Sequence, residues 1–203
     1  MILAYSKASD GNMSFKFGDS KEVSENRKSF FQESGIDTRN IVEVKQVHGN
    51  KVILIEDIIN PETVADGMIT NKAGIYLLLK VADCIPISFY DHKHEAVGLV
   101  HAGSRGLEKG IIRKAITKMR RYFHTNPKDL IAKLGPSIGP CCYRKDIWQE
   151  AENQLIENGI LKESIENLKI CTYESEDYFS HRESEDKKRP EARFITILGL
   201  NAN

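Results

Sequence analysis

The chain has 203 residues, 29 basic and 29 acidic, for a formal net charge of zero; that balance gives it no drive toward nucleic acid or an anionic membrane surface. The length can bury a core without disulfides, no apolar run approaches the roughly 18 residues of a membrane span, and the opening Met1-Ile-Leu-Ala-Tyr-Ser-Lys lacks the parts of a secretion signal. Cys84, Cys141, Cys142 and Cys171 show no regular spacing of a secreted disulfide framework, so the expectation is one cytoplasmic domain over residues 1–203 with reduced thiols.

Residues 1–20 have no clear period; Asp10-Gly11-Asn12 reads as a turn and Ser14-Phe-Lys-Phe-Gly18 as a short strand or loop. Residues 20–34 are charged around Val23, Phe30 and Phe31 and are followed by Gly35, which predicts a surface helix stopped by glycine. The β-branched runs 41–47 and 51–55 flank His48-Gly49-Asn50 and predict a hairpin, or a strand, bend and strand, with the histidine at its corner. Asp66-Gly-Met-Ile-Thr70 resumes the strand pattern. Two apolar runs follow, 75–84 ending in Cys84 and 96–101 ending in His101; between them residues 85–91 lead into a polar turn that holds His92 and His94.

Beyond Gly106 the period lengthens. Ile111, Ile112, Ala115, Ile116, Met119 and Phe123 share one face and predict a helix over 106–124, starting beside His101 and Arg105. The unpaired amides of such a start suit an anion such as phosphate. Residues 130–134 read as a strand running into the stiff loop Gly135-Pro-Ser-Ile-Gly-Pro140-Cys-Cys-Tyr143. Asp146 caps a second helix, with Ile147, Trp148, Ala151, Leu155 and Ile156 as its apolar side and Gly159 as its stop. Residues 167–172 read as a strand, 174–191 as a mobile charged loop with Tyr178-Phe-Ser-His-Arg182 resting on a surface, and 193–198 as a closing strand. Strands outnumber helices without alternating with them, which predicts an α+β fold.

Three side chains stand out chemically. Cys84, His48 and His101 each close an apolar run, and small residues follow both histidines. One thiolate and two imidazoles are the donors of a zinc site with an open position, although their intervals match no short zinc signature. Asp83 puts a charge at the end of a hydrophobic strand, an arrangement that is costly unless used. Cys141 and Cys142 read as loop packing, because neighbouring side chains rarely converge on one ion. Arg105 reads as an anion clamp.

Five ordered motifs carry a family resemblance: Lys45-Gln-Val-His48-Gly, Ala65-Asp-Gly-Met-Ile-Thr70, Val81-Ala-Asp-Cys84-Ile-Pro-Ile, Val97-Gly-Leu-Val-His101-Ala-Gly-Ser-Arg105-Gly106 and Leu134-Gly-Pro-Ser-Ile-Gly-Pro-Cys-Cys-Tyr143. Together they resemble the YfiH/DUF152 family, also labelled multicopper polyphenol oxidoreductase (laccase) and purine nucleoside phosphorylase. The resemblance implies a layered α+β fold of mixed sheets flanked by helices, related to a group of cysteine hydrolases, and a zinc ion held by His48, Cys84 and His101. It also implies phosphorolysis of adenosine, inosine, guanosine and methylthioadenosine, with deamination of adenosine. Asp83 is then expected to move a proton or steady a ligand, and Arg105, Ser180, Arg182 and Lys16 to face the substrate. Lys7 and Lys16 stand where the family opening carries arginine and asparagine, and the segment after Tyr143 is short for the family. The alternatives are a copper phenol oxidase, for which two histidines are too few, a hydrolase with Cys84 as nucleophile and His101 as base acting on a peptidoglycan precursor, and a non-enzymatic partner protein.

Overall fold

The computed structural model describes residues 1–201. In chain order its principal elements are β1 (Ile2–Tyr5), α1 (Ser20–Glu33), β2 (Ile41–Glu43), β3 (Val52–Leu54), β4 (Gly67–Thr70), β5 (Tyr76–Val81), β6 (Ile85–Asp91) and β7 (Ala96–Ala102). There follow α2 (Ser104–Glu108), α3 (Ile111–Phe123), β8 (Leu130–Leu134), α4 (Ile147–Glu157), β9 (Ile165–Asn167), α5 (His181–Lys187) and β10 (Phe194–Gly199). The strands form two mixed sheets, one of four in the order β1-β10-β5-β2 and one of six in the order β3-β4-β7-β6-β8-β9. The α+β expectation is met.

Strand alternation assigns the layers. On β5, Leu77 and Leu79 point between the sheets, where they join Val42, Met68, Val97, Leu99 and Leu198. Leu78 points the other way, with Ile195 and Ile197, onto Phe30 and Phe31 of α1. The outer face of the six-stranded sheet, with Ile69, Ile87, Phe89 and Val100, is covered by Ile112, Ala115, Ile116 and Met119 of α3 and by Ala151 and Leu155 of α4. The order is helix, sheet, sheet, helix. Central strands buried on both faces explain why 75–84 and 96–101 read as near-continuous apolar runs.

Three local expectations are corrected, and a fourth is decided between its two alternatives. The helix over 106–124 is two helices, because Gly110 adopts the left-handed region (φ 72°) between α2 and α3. Of the two forms expected around His48, the strand, bend and strand is the one found: β2 pairs with β5 in one sheet and β3 with β4 in the other, so the bend passes between layers. The strand placed at 167–172 ends at Asn167, and Ser175 N donating to Cys171 O (3.0 Å) closes a turn beyond it. The mobile loop at 174–191 contains α5, whose first turn is capped where Ser180 Oγ accepts from Glu183 N (3.1 Å).

Candidate metal centre and cleft

One buried carboxylate organises the centre. Asp66, fully buried just ahead of β4, accepts at Oδ1 from the backbone N of Val47 (3.1 Å) and His48 (2.9 Å), and at Oδ2 from Gly49 N (2.7 Å). Its Oδ1 also lies 3.0 Å from His101 Nδ1 near the end of β7. Burial pushes the Asp66 carboxyl up, but the imidazole and the bend amides outweigh this and hold it below the ordinary range. The same amides fix His48 in the left-handed region (φ 57°), a conformation a β-carbon resists unless its surroundings enforce it. A carboxylate on Nδ1 also sets the tautomer of His101, placing the proton on Nδ1 and leaving the Nε2 lone pair free to ligate a metal.

Cys84 arrives at the junction of β5 and β6. Its thiol, His48 and His101 each offer a ligand atom, and these atoms lie within 4.8 Å of one another. The two rings sit edge to face with centroids 4.7 Å apart. Gly103 makes room for the sulfur, since a Cβ there would stand 2.6 Å from Cys84 Sγ. Burial pushes the Cys84 thiol up, yet His101 and then His48 overcome it and bring the value to about 6. His101 is raised in turn: burial opposes its charge, and Cys84 and Asp66 outweigh burial. A thiolate is the form that binds metals. Two imidazoles and a thiolate, one imidazole steadied by a carboxylate, fit a divalent zinc ion with one position left for a small ligand.

Asp83 does not touch this trio through its carboxylate. Its Oδ1 accepts from Thr172 Oγ1 (2.7 Å), its Oδ2 from Arg182 N (2.8 Å), and its carbonyl from Ile138 N (2.9 Å). With φ 79°, Asp83 is a strained tie that gathers three segments around Cys84. The carboxylate that steadies a ligand is Asp66, which sequence reasoning passed over.

The centre opens into a cleft of about 1220 Å³. Lys16, Arg105 and Arg182 line it, and among the described residues none of these three forms an ion pair. Ser180 is buried as the α5 cap and does not line the cleft. The long helix start expected beside His101 is not there: α2 is only five residues long, and Arg105 lies within it. Glu43 on the opposite wall lies between Arg27 Nη1 (2.8 Å) and Lys80. Burial pushes Glu43 up, but Lys80 and Arg27 together hold it below its ordinary range. Phe15, Phe17 and Tyr143 also line the cleft; Phe15 is 48% exposed beneath the Arg27 guanidinium, and Arg182 lies over Tyr143.

Cys141 and Cys142 are not loop packing alone. With Cys171 and Glu174 they form a second group whose ligand atoms lie within 4.8 Å of one another.

These features define a layered α+β protein with a Cys-His-His centre at the floor of a cationic cleft. A family model described as multi-copper polyphenol oxidoreductase laccase matches residues 4–145 and 143–201, and the chain belongs to that family, the YfiH/DUF152 family. It is 29% identical over 217 residues to "Purine nucleoside phosphorylase YfiH" of Escherichia coli, covering 92% of this chain and 86% of the relative. It is 33% identical over 145 residues to "Purine nucleoside phosphorylase YlmD" of Geobacillus stearothermophilus, covering 66% and 53%. The crystal structure of YlmD from Geobacillus stearothermophilus superposes with a TM-score of 0.88 at 26% identity, over 94% of this chain and 85% of that one. The chain spans little more than half the length of several curated relatives it matches, between 53% and 58%.

Proposed function

We propose that the chain is a zinc-dependent purine nucleoside phosphorylase that also deaminates adenosine. The observation that carries the reading is the Asp66-organised trio of His48, Cys84 and His101 opening onto unpaired cations and aromatic rings. Zinc bound by the trio would supply Lewis acidity and lower the pKa of a bound water. Arg105, Arg182 and Lys16 hold phosphate by charge-assisted hydrogen bonds. Phe15, Phe17 and Tyr143 offer faces on which a purine stacks. Held in this way, a phosphate oxygen forms its bond to the sugar carbon as the carbon–nitrogen bond breaks, and the departing base keeps the electron pair and gains a proton. Positioning, more than any single proton donor, is what the cleft contributes. In deamination, water adds to the purine carbon bearing the amino group and ammonia leaves.

The test is incubation of the purified protein with adenosine, inosine, guanosine and methylthioadenosine, with and without phosphate, followed by chromatography. Free base and a sugar 1-phosphate should form only with phosphate, and inosine should form from adenosine without it. Cys84→Ala should abolish turnover and remove the metal of this centre; a fully active variant without zinc there would overturn the proposal. The low thiol value of Cys84 beside His101 also favours a second reading, a cysteine hydrolase. Activity that survives complete metal removal but not thiol alkylation would select it.

A further inference from the structure

The turn at residues 139–143 and the turn at 171–175 face each other across a shallow recess lined by Pro140, Cys141, Trp148, Cys171 and Glu174. In the first turn, Cys142 N and Tyr143 N both donate to Gly139 O (3.1 Å each), so the backbone winds helically. Such winding splays successive side chains by roughly 100°, which lets two adjacent cysteines reach one point from different sides. In the second turn, Ser175 N donates to Cys171 O (3.0 Å), and the spacing Cys171-Thr-Tyr-Glu174 brings positions i and i+3 onto one face. Ser137 and Cys171 form a parallel bridge that fixes the turns in register.

The sulfur geometry is already close to that of a bound ion. Cys141 and Cys142 Sγ are 3.3 Å apart, and the four ligand atoms lie within 4.8 Å of one another. Zinc with Zn–S bonds of about 2.3 Å in a tetrahedron separates its sulfurs by roughly 3.8 Å. Cys171 Sγ also accepts from Gly139 N (3.2 Å), a contact that ties the two turns together. Donor count and type select the ion: three thiolates and one carboxylate complete a closed tetrahedral shell, and thiolates favour zinc over magnesium or calcium.

We propose that Cys141, Cys142, Cys171 and Glu174 form a second metal site, separate from the His48, Cys84 and His101 centre, that binds one zinc ion as a structural clip. On binding, the thiols release their protons to solvent and four protein–metal bonds form, with no change in oxidation state. The clip joins two segments that shape the cleft: Ile138 and Tyr143 line it from one turn, and Thr172 in the other holds Asp83, which also ties Arg182. Its four donors fill the coordination shell, so the ion fixes the cleft wall without taking substrate.

The test uses Cys84→Ala protein, in which the first centre is disabled, reduced and titrated anaerobically with zinc or cobalt(II) alone. Trp148, the sole tryptophan, borders the recess and reports occupancy by its fluorescence. One equivalent should bind, with a near-ultraviolet thiolate-to-cobalt band and a change in tryptophan emission; Cys171→Ser added to this background should abolish both. Cys141→Ser, at an exposed position, should weaken the band while circular dichroism stays unchanged. Glu174→Gln should lower affinity by at least the roughly tenfold that losing a supporting partner costs a metal site. Absence of binding in Cys84→Ala protein, binding indifferent to Cys171→Ser, or a cysteine pair that stays disulfide-linked after reductant would each overturn the proposal. Wild-type protein should hold two equivalents. A single equivalent lost with Cys171→Ser would leave this site standing and remove the first.

Discussion

Asp66 joins the bend that carries His48 to the strand that carries His101, and its loss should be felt at both. Asp66→Asn keeps the size of the side chain but removes its charge and its capacity to accept from every amide around it. Zinc affinity of the His48, Cys84 and His101 centre should fall by roughly 10–100-fold, as measured by chelator competition in Cys171→Ser protein so that only this centre is counted. An unchanged affinity would show that the imidazoles are held by packing alone. The grouping of His48, Cys84 and His101 was legible in the sequence because each ends an apolar run next to small or rigid residues. Asp66 was not, because it read as one residue of the strand pattern 66–70, and its partners at 47–49 and 101 lie far from it in sequence. Asp83 drew notice for its cost in a hydrophobic context, yet its partners, Thr172 and Arg182, lie 89 and 99 residues away, and no local pattern could name them.

Individual elements were readable wherever their own residues determined them. The apolar face of α3 was legible in full from its period; the break before it was not, since a single glycine can sit within a helix or turn the chain out of one, and here Gly110 does the latter. In α5 a charged sequence folds because Ser180 caps it and Lys187 pairs with Glu183 one turn away (2.7 Å). The tip between β6 and β7 looked merely solvated, but Asp91 there is fully buried and accepts from Lys93 N (3.0 Å) and His94 N (3.2 Å), with His94 Nδ1 at 2.9 Å. Burial pushes Asp91 up, while the Thr125 hydroxyl first, then the His94 side chain and the turn amides of His94 and Lys93, outweigh it and hold it below the ordinary aspartate value. A lowered folded-state pKa stabilises the protein fully above the unfolded value and ceases to do so as pH falls through the folded one. Asp91→Asn should therefore cost about 1.5–3 kcal/mol at neutral pH. The gap from wild type in denaturant titrations should narrow as pH drops below about 4. A gap independent of pH would place the effect in shape rather than charge.

At the scale of the whole molecule, the α+β class followed from counting elements, but the division into two sheets did not. Sheet membership depends on which strands pair, and β10 pairs with β1 and β5, neither of them close to it in sequence. That pairing bears on the order of assembly. Every strand of the larger sheet lies before residue 168; its β6–β7 pairing is local and β8 joins β6 across α2 and α3, whereas the smaller sheet has the last strand near its middle, paired with strands from the first half of the chain. Closing long loops delays the contacts they bring together. In pulse-labelled hydrogen exchange during refolding, amides of β6, β7 and β8 should gain protection before those of β1, β5 and β10; simultaneous protection would refute this order. A nascent chain would thus carry the apolar faces that β10 covers open until Gly199 emerges, and during that interval the exposed flank of β5 is where a chaperone, or a neighbouring nascent chain, would make first contact.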